Sequence, residues 1–445
     1  MAAGQKETAV QNGLPLLDTV YSPKTDQLQE LANILVENYQ NVGFVKRNRL
    51  RIRSPEKIPL ERFEKWLNKA HEYFLEGSDM VANLVITSEW ILDNYYIIRQ
   101  ANLQIAEDLT TGFYYRLPKL VGGPMDSQPR IFGLAREILK FQNHLLKIGD
   151  LQQVLIQIQE QVPLSMAELW ALPIFLRLSL IEYLAHLLAR AIKPPVASEL
   201  PVLQPFCTGS IDLSVSPQDS ALDSAVSGVV ANIILSLRTI SEQNWNDFFE
   251  SVSYVEVILR KDPTGQYAKM DFKTRDLYRK QIEKLAQAAG MDEITLALHT
   301  LDLAREQISH IGFFLLGKDR TLLEAKIGYH PDLTARAKSW SKKNTAGLYL
   351  GGIGVLSLSV FVLGLSLIGF PAVLNQLAWS GWLIAFLIVI ALVIPTLTTI
   401  TSLVNWLVPL WIPPAVIPKL KFRNEVPTSD KTLVVIPTLI ANTRD

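Results

Sequence analysis

From Asn344 through Pro418 the chain runs for 75 residues without one Asp, Glu, Lys or Arg. Soluble domains carry roughly 25% charged residues, so a water-exposed fold offers no account of such a gap. A bilayer does, because hydrocarbon tolerates helices whose backbone groups pair internally and penalises charge. Turn-forming and polar residues at Pro371–Ser380 divide the run in two. Leu348–Phe370 and Ala378–Ile400 are the expected spanning helices, each about 34 Å long at 1.5 Å per residue. That exceeds the roughly 30 Å hydrocarbon core, so each can cross with some tilt. Pro395 is expected to kink the second span, and Thr401–Trp411 either extends it or lies at the interface, where Trp406 and Trp411 favour residence. Lys338, Lys342 and Lys343 precede the first span, and Lys419, Lys421 and Arg423 follow the second. The loop between carries no charge. The positive-inside rule then predicts a hairpin anchor with both flanks, and so both termini, cytoplasmic, and the lipid bilayer as the first partner.

The charges that remain balance at 43 Lys+Arg against 43 Asp+Glu. A zero balance argues against nucleic acid as a partner, since non-specific binding needs a clustered cationic excess. Cys207 is the one cysteine, so no internal disulfide is possible, and no Cys/His spacing suits zinc. Met1–Asn12 is polar, and no signal peptide is expected there.

Apolar residues recur at helical spacing through most of the chain, and no strand alternation is read before residue 432. The fold class is therefore all-α: two cytoplasmic helical lobes, then a two-span transmembrane hairpin, then one orphan β-strand. Residues 1–25 read as a loose tail, 26–192 as lobe 1, and 193–220 as a linker with Pro194, Pro195, Pro201, Pro205 and Pro217. Residues 221–330 form lobe 2, 346–411 the hairpin, and 419–445 a cytoplasmic tail with the strand. Ser165 with Glu168 and Thr239 with Glu242 have capping-box spacing, and Gly290 is the expected stop of a helix over Phe272–Ala289. The helix over Met166–Ala191 is apolar nearly all round. Arg177 and Glu182 lie inside it at a bilayer cost of roughly 2.5–3.5 kcal/mol each, so it reads as the buried centre of a bundle.

Candidate chemistry does not converge on a catalytic centre. Glu89 and Asp93 share a helix face; an acid–base pair or a cation site is the functional reading, and a solvated face or a helix-to-loop hydrogen bond is the favoured one. The six histidines (His71, His144, His186, His299, His310, His330) are scattered and read as surface or satisfied core residues. Gly122-Gly123-Pro124 reads as a turn. Arg116, Lys119, Arg130 and Arg136 read as a solvated basic surface with acidic neighbours. Gly347 and Gly351 make a GxxxG, attributed to chance or to close packing inside the hairpin. No catalytic, cofactor-binding or metal residue is assigned. After Pro427, Thr432–Ile436 is a short apolar strand ending in Pro437-Thr438, the opening of an α/β domain.

Several blocks resemble the N-terminal region of cyclic β-1,2-glucan synthetases. They are Ser88-Glu89-Trp90-Ile91-Leu92-Asp93-Asn94, Gly112–Leu120, Glu168-Leu169-Trp170-Ala171-Leu172-Pro173, Asp247-Phe248-Phe249-Glu250-Ser251 and Met270–Asp276. Val404-Asn405-Trp406-Leu407, Pro413-Pro414 and Thr432–Thr438 continue the series in the same order. The resemblance implies a large inner-membrane glycosyltransferase that uses UDP-glucose and a divalent cation, Mg or Mn, in a catalytic domain beyond these residues. It implies that Pro437 and Thr438 lie near the donor nucleotide. On that reading the chain is a scaffold and anchor, truncated or split before its catalytic portion and not catalytic alone. A separately encoded glycosyltransferase/phosphorylase portion is then an expected partner. The competing reading is a non-enzymatic, membrane-anchored helical adaptor.

Overall fold

The computed structural model describes residues 25–43, 60–76, 84–123, 125–192, 222–317, 319–329, 340–341, 344–367, 379–411 and 418–421. The 193–220 linker and Thr432–Asp445, with Pro437 and Thr438, lie outside the described residues. Helix dominates, in keeping with the all-α expectation. The strands described are β1, Val42–Gly43, and β2, Lys119–Leu120, paired antiparallel with Val42 opposite Leu120. Two residues are too few to leave an alternating pattern in sequence.

The chain divides into two compact units, residues 1–258 with 292–294, and residues 259–291 with 295–445. The first contains α1 (Thr25–Tyr39), α2 (Leu60–Leu75), α3 (Val85–Asp108), α4 (Thr111–Arg116), α5 (Arg130–Phe141), α6 (Ile148–Gln161) and α7 (Met166–Ala191). It continues with α8 (Leu222–Glu242) and α9 (Trp245–Val252), and α10 (Tyr254–Leu259) runs to the boundary. Helix α7 is the hub, packed by α2, α3, α5, α8 and α9. Its apolar residues point in every direction and find protein on every side, so 89% of its most apolar stretch is buried. The compact units part at Ile258 rather than at the Pro-rich stretch, because α8 packs its length along α3 and α7.

The capping box at the start of α7 forms as its spacing predicts, and Glu168 does more than cap. Its carboxylate also takes two hydrogen bonds of 2.7 Å from the buried Arg130 guanidinium. Arg136 pairs with Glu182 at 3.2 Å. Lys119 is also buried, donating to the Tyr114 carbonyl at 2.9 Å with its ammonium 3.3 Å from the Tyr114 ring centroid. Burial holds its pKa down at about 7. These placements correct the expected basic surface: Lys119 and Arg130 are interior, and Arg136 is spent on Glu182. Thr239 and Glu242 make no capping box either. Helix α8 runs through both, the Thr239 hydroxyl donates back to the Leu235 carbonyl, and Asn244 caps the next helix.

The second unit contains α11 (Phe272–Ala289), most of α12 (Glu293–Glu306), α13 (Gly312–Leu315), α14 (Arg320–Lys326), α15 (Thr345–Leu367) and α16 (Trp379–Trp411). Gly290 ends α11 in the left-handed conformation at φ +70°, as its position predicts. Helices α15 and α16 pack on each other as a hairpin, tied near their outer ends by Tyr349 Oη donating to Asn405 Oδ1 at 2.6 Å. Most of the described residues of α15 are exposed, with Leu350 and Val355 two-thirds bare. Apolar surface on that scale marks contact with lipid or protein. Helix α16 runs continuously through Pro395 to Trp411, so Thr401–Trp411 extends the helix. At 33 residues it reaches about 50 Å, longer than one hydrocarbon crossing. Gly347 and Gly351 are not packed inside the hairpin: a methyl group added at either meets nothing within 4 Å.

Candidate functional site

The segment after the hairpin returns to the second unit's own helical part. Leu420 bridges antiparallel to Met270, with Asp271 N–H donating to the Lys419 carbonyl at 3.0 Å and Lys421 N–H to the Lys269 carbonyl at 2.7 Å. Lys419 N–H donates to Thr274 Oγ1 at 2.9 Å. The receiving residues are held first by local chemistry. Asp271 caps α11 by accepting from Thr274 N–H at 2.9 Å, and Arg275 Nη1 donates to the Met270 carbonyl at 2.7 Å. Hydrogen bonding from Thr274 keeps the Asp271 carboxyl below the usual range, with Lys419 and Lys273 adding attraction.

The other end of this receiving loop is pinned by Asp262, whose side chain is fully buried. One carboxylate oxygen takes Ile311 N–H at 3.1 Å, and the other takes His310 Nδ1 at 2.9 Å and Gln266 N–H at 3.2 Å. Burial pushes the Asp262 carboxyl up, but hydrogen bonds from His310, Thr264 and Ile311 outweigh it and hold it at about 2. With Nδ1–H given to Asp262, Nε2 of a neutral His310 ring accepts from Tyr278 Oη at 3.2 Å. Burial first, and then the Asp262 charge, raises the Tyr278 hydroxyl to about 12. Gly312 is required at this point, since a Cβ there would lie 2.5 Å from Tyr278 Oη and 2.8 Å from the His310 ring. One loop thus joins a buried Asp–His–Tyr cluster to the strand-like segment beyond the membrane hairpin.

The structure separates the residues singled out in sequence. Glu89 and Asp93 are exposed, which fits a solvated face. His71 stacks on Tyr95 and His144 lies tilted against Tyr183 with ring centroids 3.7 Å apart, with burial lowering the His144 pKa to about 4. His310 is a satisfied, nearly buried histidine, one of the two readings given for it, but its partners were not legible in sequence. Asp262 lies 48 positions away and Tyr278 32, so spacing carries no hint; the Asp262-Pro263-Thr264-Gly265 turn was the available signal. Among the described residues no group of three His, Cys, Asp or Glu is disposed to hold a metal ion.

The resemblance blocks are now seen as structural parts. Trp170 stacks on Phe249 at 4.5 Å, joining two blocks, and Asp223 caps the start of α3 through Ile86 and Thr87 N–H at 2.9 and 3.0 Å. Met270–Asp276 is the block that receives the post-hairpin segment.

An all-α protein with helices long and apolar enough to cross a membrane, and with a chain return onto its own helical part, is the class these features define. The chain is similar to the curated cyclic beta-(1,2)-glucan synthase NdvB of Rhizobium meliloti (strain 1021), 28% identical over 444 residues. That similarity takes in 83% of this chain and supports reading it as a relative of that synthase. The chain spans 15% of that synthase's length. No protein-family model matches the chain.

Proposed function

We propose that these residues form the scaffold and membrane anchor of a cyclic β-1,2-glucan synthase-like glycosyltransferase, and that they do not transfer glucose by themselves. The observation that carries this is the return of Lys419–Lys421 onto Met270–Thr274. By the resemblance, a transferase domain opens shortly after that segment, so the helical unit grips the chain where a catalytic domain would be hung. Such a grip limits the orientations open to that domain relative to the bilayer, which is how a scaffold contributes to positioning. In this reading the hairpin sits in the inner membrane with both flanks cytoplasmic, on the side where UDP-glucose is available. Pro437 and Thr438 lie near the donor, and Mg or Mn is held by residues outside this chain.

Incubating the purified chain with labelled UDP-glucose and Mn²⁺ or Mg²⁺ tests the non-catalytic half; label incorporated into protein or glycan would sink it. The scaffold half is tested in the whole synthase-like polypeptide, or with a separately encoded catalytic portion supplied. There, Thr274→Val with Leu420→Pro should lower glucan formation with the protein still in the membrane, and unchanged synthesis would refute it. A reporter fused at Asp445 should read cytoplasmic.

A further inference from the structure

We propose that Lys269, Lys273, Lys419 and Lys421 form a binding surface for the phosphate of an anionic phospholipid headgroup. The antiparallel bridge of Met270 with Leu420 puts Lys269 opposite Lys421 and Asp271 opposite Lys419. These four residues flank the bridged pair, whose Met270 is buried, and the three lysines among them are exposed, Lys269 at the end of a short 3-10 turn. Lys273, also exposed, adds a fourth ammonium from the first turn of α11. Like charges directly opposite each other on paired strands destabilise the pairing. Yet the backbone bond beside that pair, Lys421 N–H to the Lys269 carbonyl, is the shorter of the two flanking the bridge at 2.7 Å. Among the described residues none of the four lysines makes an ion pair. The one acid on the face, Asp271, is already engaged as the cap of α11. Four ammonium groups against one committed carboxylate leave a net positive face that an anion would neutralise.

Position selects the anion. Lys419 lies eight residues beyond Trp411, the end of α16, and eight residues reach at most about 29 Å. The lysine face therefore stays close to the end of a helix clothed in bare apolar side chains. The tether is long enough for the lysine face to lie on the leaflet itself, where, within a Debye length of about 8–10 Å, lysines feel the negative potential of an anionic leaflet and a phosphate diester between Lys269 and Lys421 removes their repulsion. Lipid binding would thereby tighten the chain return itself. This inference does not depend on glucosyl transfer.

The test is amide hydrogen exchange of the full chain in nanodiscs of phosphatidylglycerol or of phosphatidylcholine, read at Asp271 and Lys421, the two amides that close the bridge. Phosphatidylglycerol should slow exchange there relative to phosphatidylcholine, and Lys421→Gln should take back about fivefold of the protection. Exchange in α7 and α12 should be the same in both lipids and in the variant, which shows that the protein is folded. Equal protection in the two lipids overturns the proposal. If inorganic phosphate added to phosphatidylcholine discs gives the full effect, the site takes free phosphate and the lipid assignment is overturned. Failure of either kind leaves the UDP-glucose experiment unaffected, so the two readings fall separately.

Discussion

Helices α7 and α15 are both long and apolar enough to cross a membrane, yet 89% of the apolar stretch of one is buried in protein and almost none of the other's. The difference lies in a few charges. Helix α7 carries Glu168 and Glu182, and each finds an arginine on α5, at 2.7 and 3.2 Å. Helix α15 carries no charge and has one buried side chain, Ile353. A charged group in an apolar helix is costly unless partnered, and partners come from neighbouring protein rather than from lipid. Hydropathy alone thus sorts these helices poorly, and the ionisable residues decide where each belongs.

The sharpest break of this contrast is at Arg130. Arg130→Ala strands the Glu168 carboxylate in the core and should cost about 3–5 kcal/mol, seen as an early unfolding transition of the first unit in a denaturant titration. Arg130→Met with Glu168→Leu should recover most of that loss, since an apolar replacement of both partners leaves no buried charge. Next in size, Val360→Arg in α15 should oppose insertion by roughly 2.5–3.5 kcal/mol in a translocon insertion assay, because lipid offers no Glu168. A native-like insertion efficiency would place α15 inside protein after all.

The acid limb of stability should separate the units more gently. Asp262 has a folded pKa of about 2 against 3.8 for the free group. A depressed carboxylate contributes stability that is present above pH 3.8 and lost as the pH falls toward 2. Asp262→Asn should flatten that window in a pH series of thermal midpoints. It should also loosen the Met270–Leu420 bridge, visible as faster exchange of the Lys421 amide. Smallest of all, Gly351→Ala should change the thermal midpoint of the detergent-solubilised protein little, because its methyl meets no atom within 4 Å. A large loss would mean that the GxxxG face is occupied by another helix.

Much of the fold was legible in advance where local chemistry decides it. The Ser165–Glu168 box, the Gly290 stop and the helical class arise from backbone groups that need partners within one turn. What failed were inferences needing a distant partner. Arg116, Lys119, Arg130 and Arg136 look alike in sequence, but Glu168 lies 38 positions from Arg130 and turns an expected surface charge into a core one. Thr239 fits a cap by spacing, yet α8 continues past it because α3 and α7 offer it a packing surface. The candidate site was the least legible, since Asp262, Tyr278, His310 and Lys419 come from separate stretches and no motif joins them.

By itself, the sequence determined that the 75-residue charge-free run would form an apolar helical hairpin, because hydrocarbon and water impose their demands residue by residue. Tertiary structure alone decided which apolar helix would be enclosed by protein, which charges would be buried, and where the chain would return after the hairpin. Those outcomes rest on pairings between residues tens to more than a hundred positions apart, such as Lys419 with Thr274. Their energy appears only when the partners meet, so no local pattern records it.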